Sequence, residues 1–261
     1  MKKSFYKIFT SLILLATGVA NSQVTNFSDW HLAGQPGIPS ATADTVNGPL
    51  GSLSTFADLS SFQSATTGTV FEDFEGGLVA AGGVASCTPP VNSTSSNPCF
   101  NAGDLIPGFN LNVSTPGNLL VTLGAGIIGQ ASVIIGANTF TDSTDLSFDA
   151  NNILAVAFDL HSNGPNPLTI TVFDTIGGVI GTINTVVTTP GTPVFIGFTS
   201  ATAIGSVNIS DDTGAGELID NLRFGGIAPP AIIPSSSMTS LLVLLLLIFA
   251  MAWSFRKKVQ S

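Results

Sequence analysis

Residues 168–187 read LTITVFDTIGGVIGTINTVV. Two runs rich in Ile, Val and Thr, at 168–173 and 179–187, flank a short segment that contains Asp174 and two glycines. β-Branched and aromatic residues favour strands, and Asp and Gly favour a tight reversal between them. The stretch therefore predicts a β-hairpin.

The same pattern recurs along most of the chain. Short apolar runs separated by turn residues predict further strands at 69–74, 119–123, 131–135, 146–148, 153–160, 194–199, 204–209 and 217–224. Because no helical pattern lies between these runs, we expect a mainly β fold, an antiparallel β-sandwich of jelly-roll type spanning 67–228.

The chain before this domain has a different composition. Residues 23–51 are rich in Gly, Pro, Ser, Thr and Ala without a sustained period, which predicts a loop or a lightly ordered lead-in. Over 52–65 apolar residues recur every three positions, with Ser54 or Thr55 available as a cap. This spacing predicts one short N-terminal helix inside a lead-in at 23–66.

The C-terminal tail, residues 229–261, has an apolar run and a basic end. Met238–Phe255 contains no charged residue, and Arg256, Lys257 and Lys258 follow it. Eighteen residues of helix span about 27 Å, close to the roughly 30 Å of a bilayer core. The tail predicts a transmembrane helix at 238–255 in the inner membrane, with its basic end in the cytoplasm and the upstream domain facing outward.

The tail also resembles the C-terminal sorting signals of Gram-negative surface proteins, the PEP-CTERM and IPTL-CTERM classes. There, a short proline motif, here Ile233-Pro234, precedes a hydrophobic helix and a terminal basic cluster. Ser235 and Ser236 stand where the IPTL form has Thr-Leu. The resemblance implies an exosortase-like processing enzyme as a partner and an address at the cell envelope. An ordinary single-span anchor is the alternative.

The N-terminus has the features of a secretory signal peptide. A positively charged start precedes an apolar stretch at 8–16, and a small-x-small cleavage site ends at Ser22. We expect the Sec-type export machinery and signal peptidase as partners, with cleavage after Ser22 or, alternatively, after Ala20.

The exported part is acidic and contains two cysteines. All sixteen Asp and Glu residues lie between Asp29 and Asp220, where no Lys or Arg occurs, and Arg223 follows shortly after. Such a surface repels phosphate backbones, which excludes nucleic acid as a partner. Outside the cytoplasm, Cys87 and Cys99 predict a disulfide that closes a small loop.

A second resemblance concerns the domain itself. Five segments, in order, are similar to the exported β-sandwich domains found ahead of PEP-CTERM-type tails. They are FEDFEGG (71–77), LAVAFDL (154–160), TVFDTIGGVIGT (171–182), FIGFTS (195–200) and IDNLRFG (219–225). This resemblance implies a β-sandwich at the cell surface or in the extracellular matrix and points to no particular activity.

Two acidic residues interrupt apolar strand faces. With strict alternation, Asp220 shares one face of the last strand with Leu218, Leu222 and Phe224. In an early strand, Glu72 shares one face with Val70 and Phe74. An inward carboxylate needs a partner or a metal ion.

If the first and last strands are neighbours, Glu72 and Asp220 are candidate ligands of a structural calcium ion, which prefers oxygen ligands. Further candidate ligands are Asp73, Glu75, Asp211, Asp212, Glu217 and Asn221. Alternatively, Asp220 caps a turn, lies at the rim of the sandwich or pairs with Arg223.

Motifs of enzymes are sparse. The glycines at 124, 126 and 129 match a dinucleotide fingerprint, but a strand-like segment follows instead of a helix, so we interpret them as turns and expect no bound cofactor. His31 and His161 are the only histidines, and a turn or rim role is expected for His161.

We therefore expect a non-enzymatic cell-surface or extracellular-matrix protein that binds polysaccharide. Phe173 and Phe195 fall out of phase with the apolar sets of their strands, and they are the candidate sugar-stacking residues. The alternative is an extracellular polysaccharide hydrolase that uses a pair of Asp or Glu residues.

Overall fold

The computed structural model describes residues 53–211 and 213–229, and the backbone alone of 44–47. The predictions for the signal peptide, for Asp212, for Ile233 and Pro234, for the helix at 238–255 and for Arg256, Lys257 and Lys258 lie outside the described residues. Within the described ranges, no helix has both the length and the apolar character needed to cross a membrane.

The described residues form fourteen strands and one helix. In chain order the strands are β1 (Asp44–Asn47), β2 (Ser54–Phe56), β3 (Thr66–Glu72), β4 (Val84–Cys87), β5 (Phe109–Val113), β6 (Leu120–Leu123), β7 (Ile134–Ala137), β8 (Thr144–Phe148), β9 (Ala155–His161), β10 (Asn166–Asp174), β11 (Val179–Val187), β12 (Val194–Thr199), β13 (Ile204–Asp211) and β14 (Leu218–Ile227). Helix α1 (Leu59–Ala65) lies between β2 and β3.

These strands make two antiparallel sheets. The six-stranded sheet has the order β1-β11-β10-β13-β8-β5. The eight-stranded sheet has the order β2-β12-β9-β14-β7-β6-β4, and β3 also pairs with β14. A mainly β, antiparallel fold with one helix in the described part is therefore confirmed.

The hairpin that the sequence predicts at 168–187 is present. β10 and β11 pair from Asn166 opposite Val187 to Phe173 opposite Val179. Asp174 closes the turn because its Oδ1 accepts hydrogen bonds from the backbone N–H groups of Ile176 (2.9 Å) and Gly178 (2.7 Å). The turn chemistry that suggested the hairpin thus acts directly on its backbone.

One hydrophobic core joins the two sheets. Alternate residues of β10, including Leu168 and Ile170, are buried in the same cluster as Phe158 and Leu160 of β9 in the other sheet. The residues between them on β10 are half-buried or exposed. The two sheets therefore pack face to face and remove their inward apolar surface from water, which is the main favourable term in folding.

The helix prediction is right in kind but too long. Residues 54–56 form β2, which pairs with β12, and the helix begins only at Leu59. Its cap is Asp58, whose Oδ1 accepts the N–H of Ser61 at 2.9 Å, and not Ser54 or Thr55. The apolar residues that recur every three positions over 52–65 therefore belong to two elements, first strand β2 and then helix α1.

The sequence also missed strands β1, β4 and β5. β1 lies in the region predicted as a lead-in, yet it pairs with β11 over all four of its residues. β5 alternates buried Phe109 and Leu111 with Asn110 and Asn112, and Asn is depleted in strands. In these segments the pairing partner stabilises a strand that local preference only weakly favours.

Cys87 and Cys99 form the predicted disulfide. Their Cα atoms lie 5.8 Å apart, and both residues are fully buried. The bond ties the end of β4 to a segment twelve residues later that contributes Phe100 to the core. It therefore holds a loop of low regular structure against the sandwich.

We expect reduction of this disulfide to lower the free energy of unfolding by about 3 kcal/mol, because opening a loop of this length restores entropy to the unfolded chain. Urea unfolding with and without dithiothreitol measures the change. A Cys87→Ala/Cys99→Ala double variant is the control, because its unfolding midpoint must not respond to the reductant. Equal midpoints for the wild-type protein in the two conditions would contradict the prediction.

Candidate functional site

A β-bulge in β14 changes which residues face the core. The pairing of β14 with β9 shifts register between Asp220 and Arg223, and Asn221 has a φ of 53°. Ile219 and Leu222 consequently lie in the main core, whereas Leu218 packs in a separate cluster. The prediction that Leu218, Asp220 and Leu222 share one face is therefore wrong, because the extra residue reverses the alternation.

Glu72 lies on the core side of the eight-stranded sheet. It pairs with Leu222, and its two carboxylate oxygens accept the backbone N–H groups of Phe74 (2.8 Å) and Ile106 (2.7 Å). Burial raises its pKa above the ordinary value. Val70, expected to be buried on the same face, is 44% exposed, which corrects that part of the prediction. Glu72 thus anchors the loop around Ile106 to the sheet.

Asp220 lies on the opposite, outer side of that sheet. It is directly across from Asp159 of β9, and it accepts hydrogen bonds from the Ser132 hydroxyl and from the backbone N–H of Asn221. The Asn221 side-chain amide also bridges Asp159 (2.9 Å) and Asp220 (3.1 Å). Burial, together with the charges of Asp159 and Glu75, raises the pKa of Asp220 to about 6.

Calcium binding by Glu72 and Asp220 gains no support from this arrangement. The two carboxylates point to different sides of the sheet. In the part of the chain that the structure describes, no group of three or more His, Cys, Asp or Glu side chains could hold a metal ion. The calcium assignment stays a prediction.

Arg223 contacts an aromatic ring beside these acids. Its guanidinium lies 4.1 Å from the centre of the Phe71 ring, and its Nη1 donates to the Asn221 carbonyl at 2.9 Å. A cation over an aromatic face is stabilised by the ring quadrupole. The hydrogen-bond partners of Asp220 are Ser132 and Asn221, so the direct Asp220–Arg223 pair is not among the described hydrogen bonds.

The outer face of the six-stranded sheet carries a different set of side chains. Polar residues of adjacent strands lie side by side in two rows that follow from the register of the sheet. We call this surface the polar face; the first row is Asn112, Asp145, Asn208, Thr171 and Thr182, and the second is Asn110, Ser147, Ser206 and Phe173.

A shallow groove of about 400 Å³ lies on the polar face. Its lining consists of Asn112, Asp145, Leu146, Ser147, Phe173, Ser206, Val207 and Asn208. Leu146 and Val207 are buried, and the other six residues are partly exposed. The groove therefore offers one apolar ring and several hydrogen-bonding groups to a ligand.

A hydrogen-bond network fixes two residues of the groove, Asp145 and Asn208. The Asn208 side-chain amide donates to Asp145 Oδ1 (2.6 Å) and to Ser143 Oγ (2.7 Å), and the Ser143 hydroxyl donates to the same Asp145 oxygen (2.9 Å). The second Asp145 oxygen and the Asn208 carbonyl oxygen face no partner in this network. Locked side chains bind a ligand with less loss of conformational entropy than mobile ones.

The two candidate stacking residues, Phe173 and Phe195, lie in different parts of the structure. Phe173 borders the groove, in agreement with its being out of phase with the apolar residues of β10. Phe195 packs beneath helix α1, with its ring centre 6.1 Å from that of Phe62. Only alternation within β10 signalled this surface, since Asn112, Asp145 and Asn208 come from strands whose pairing the sequence does not reveal.

Two further features that the sequence singled out, His161 and the glycine motif at 124–129, have roles in the fold. His161 is the last residue of β9 and is 3% exposed, and burial lowers its pKa to about 4. Residues 124–130 form turns, and strand β7 follows. A Cβ at Gly124 would lie 1.9 Å from the Ala80 carbonyl oxygen, so this glycine permits a close backbone approach.

The chain matches no protein-family model. No curated protein sequence is similar to it. The polar face and the acidic residues of the opposite sheet are therefore interpreted from their geometry and chemistry.

We expect Asp220 to make the domain less stable as the pH rises. Because its pKa is about 6 in the folded protein and 3.8 ordinarily, the folded state binds this proton more tightly than the unfolded state. Its contribution is complete below pH 3.8 and is lost as the pH rises through 6. In Asp220→Asn, the fall in unfolding free energy between pH 4 and pH 7.5 should shrink by about 2 kcal/mol.

Urea unfolding at a series of pH values measures this effect. Asp73→Asn is the matched control, because Asp73 is exposed at the end of the neighbouring strand β3. A stability profile of Asp220→Asn that runs parallel to that of the wild-type protein would show that the proton is not bound at Asp220.

Proposed function

We propose that this protein is a non-enzymatic, exported cell-surface or extracellular-matrix protein that binds polysaccharide through its polar face. The observation that carries the proposal is the groove lined by Phe173 and by amide, hydroxyl and carboxylate groups, of which Asn208 and Asp145 are held together by a hydrogen bond. Sugar rings present apolar C–H faces that pack on aromatic rings and hydroxyl groups that exchange hydrogen bonds with such side chains. The combination matches a carbohydrate better than an apolar ligand.

The charge of the groove favours a neutral polysaccharide. Asp145 is the one ionisable residue that lines the groove. Arg223 is the only Lys or Arg between residues 8 and 255, and it does not line the groove. A polyanionic chain would meet a carboxylate with no cation to offset its charge. A neutral glycan hydroxyl can donate to the free Asp145 oxygen.

The chain path supports a jelly-roll form of the sandwich. Between β8 and β14 each connection passes from one sheet to the other, except in the β10–β11 hairpin. This alternation is typical of Greek-key arrangements.

In the proposed protein, the signal peptide directs export, and the tail then sorts the domain to the envelope or anchors it.

A polysaccharide hydrolase is the competing function. Its carboxylate pair would be Asp159 and Asp220, which face each other across β9 and β14. However, Asp220 is only 1% exposed, and Asn221 and Ser132 already occupy its oxygens. A glycosidic bond could not reach this carboxylate without a rearrangement of the strand, so binding is the better-supported function.

Phe173→Ala should weaken binding to neutral polysaccharides about tenfold or more, because the variant removes the stacking surface. A glycan array identifies the ligand, and affinity electrophoresis with that ligand compares the variants. Phe71→Ala is the matched control, since Phe71 is an exposed Phe on the other sheet. No binding by the wild-type protein would leave a structural role. If the wild-type protein releases reducing ends from a polysaccharide and Asp159→Asn does not, the hydrolase would be favoured.

The tail is tested by cell fractionation with mass spectrometry of the mature C-terminus. Cleavage between the Ile233-Pro234 motif and the end of the apolar run is expected if the sorting resemblance holds. An intact C-terminus in the inner-membrane fraction would instead establish a single-span anchor. An intact chain in the cytosol with free thiols would contradict export altogether.

A further inference from the structure

The first row of the polar face continues beyond the groove. Asn112, Asp145 and Asn208 belong to this row and line the groove, on β5, β8 and β13. The register of the sheet then places Thr171 of β10 beside Asn208, and Thr182 of β11 beside Thr171. Both threonines are partly exposed. Five neighbouring strands therefore contribute one hydrogen-bonding side chain each to a single line across the sheet.

The groove itself runs across the strands. Its lining residues come from β5, β8, β13 and β10, which are neighbours in the six-stranded sheet. A ligand that lies along β10 would contact Phe173 but miss Asp145 and Asn208, which belong to β8 and β13. A ligand that fills the groove therefore crosses the strands, in the direction of the first row.

The row is longer than the groove. Neighbouring strands lie about 4.8 Å apart, so the row spans about 19 Å from Asn112 to Thr182. The part inside the groove, from Asn112 to Asn208, spans about 10 Å. An extended ligand that fills the groove and continues past it therefore meets Thr171 first and Thr182 next.

The side chains of the first row have free hydrogen-bonding groups. Within the part of the chain that the structure describes, the side chains of Asn112, Thr171 and Thr182 make no hydrogen bond. A hydroxyl or a carboxamide can both donate and accept hydrogen bonds, as the hydroxyl groups of a sugar also do. Asp145 is the one charged residue of the row. The row therefore suits an uncharged ligand that carries many hydroxyl groups.

Two other rows flank the first row. The second row, with Phe173, lies on one side, and a third row of Ser210, Thr169 and Asn184 lies on the other. Neighbouring strands of a sheet are rotated by about 20° against each other, so the strand direction turns by about 80° over five strands. In such a sheet the middle row is straight, and the rows beside it coil around it. A straight chain can therefore contact the first row along its whole length, whereas a flat surface cannot contact all three rows.

We propose that a single extended chain of a neutral glycan lies across the strands along the first row, and that Thr171 and Thr182 are specificity-determining residues of this site beyond the groove. The Phe173 ring stands beside the chain, because it follows Thr171 by two residues on the same face of β10. Its apolar surface packs on a sugar ring while the row binds the hydroxyl groups. This inference rests on the proposed polysaccharide binding and adds the path, the length and the single-chain form of the ligand.

Isothermal titration calorimetry of the whole chain, in a detergent without a sugar headgroup, tests the path of the glycan. The probes are oligosaccharides of increasing length, prepared from the neutral polysaccharide with the strongest signal on the glycan array. We expect the affinity to rise with length until the extended oligosaccharide reaches about 19 Å and then to level off.

Thr182→Val should bind oligosaccharides of at least this length about fivefold more weakly, because it loses one hydrogen bond to the chain. Oligosaccharides short enough to fit inside the groove should bind this variant and the wild-type protein equally. Valine keeps the β-branched shape that favours a strand, so the fold is preserved. Thr171→Val is a second variant of the same kind.

Asn184→Ala is the matched control, because Asn184 is exposed on the same strand as Thr182 but belongs to the third row. This variant should bind every oligosaccharide as tightly as the wild-type protein does. Equal losses in Asn184→Ala and Thr182→Val, or tighter binding to an insoluble form of the polysaccharide than to its soluble chains, would overturn the single-chain path.

The two proposals fail in different ways. Wild-type affinity for long oligosaccharides in both Thr182→Val and Thr171→Val would overturn the path along the first row and leave polysaccharide binding by the groove intact. The absence of an array signal from any neutral polysaccharide would overturn the proposed function and this inference together.

Discussion

The pairing of β14 constrains most of this structure. One side of the strand pairs with β9, and the other side pairs with β7 at one end and with β3 at the other. The pairing with β9 shifts register between Asp220 and Arg223, where Asn221 forms a bulge with a positive φ. The bulge turns Asp220 outward and returns Leu222 to the core. The acidic pair with Asp159 is thus a consequence of strand pairing.

The two sheets differ in what covers their outer faces. On the eight-stranded sheet, α1 places Phe62 over Ala155 and Ala157, and the turns around Ile128 cover Leu218. The polar face of the six-stranded sheet is left half exposed among the described residues. This asymmetry explains the choice of binding surface: a covered apolar face stabilises the fold, whereas an open row of amides and hydroxyls is free to contact a ligand.

Charge is distributed unevenly between surface and interior. Burial raises the pKa of Glu72, Asp159, Glu217 and Asp220 in a domain whose single arginine is Arg223. Most of these carboxylates are held by backbone or side-chain N–H and O–H donors, which replace part of the lost hydration. Glu217 has the fewest such donors for its burial.

The sequence by itself determined the strand-rich character, the β10–β11 hairpin and the disulfide, because local propensity, turn residues and cysteine count act over short distances. Tertiary structure decided the rest. It placed β1 and β5 in the sheet, shortened the helix to begin at Leu59, reversed the alternation at Asn221 and gathered Asn112, Asp145 and Asn208 into one groove. Each of these depends on which distant strands are neighbours, and pairing between distant strands is set by the packing of the whole core rather than by any local residue preference.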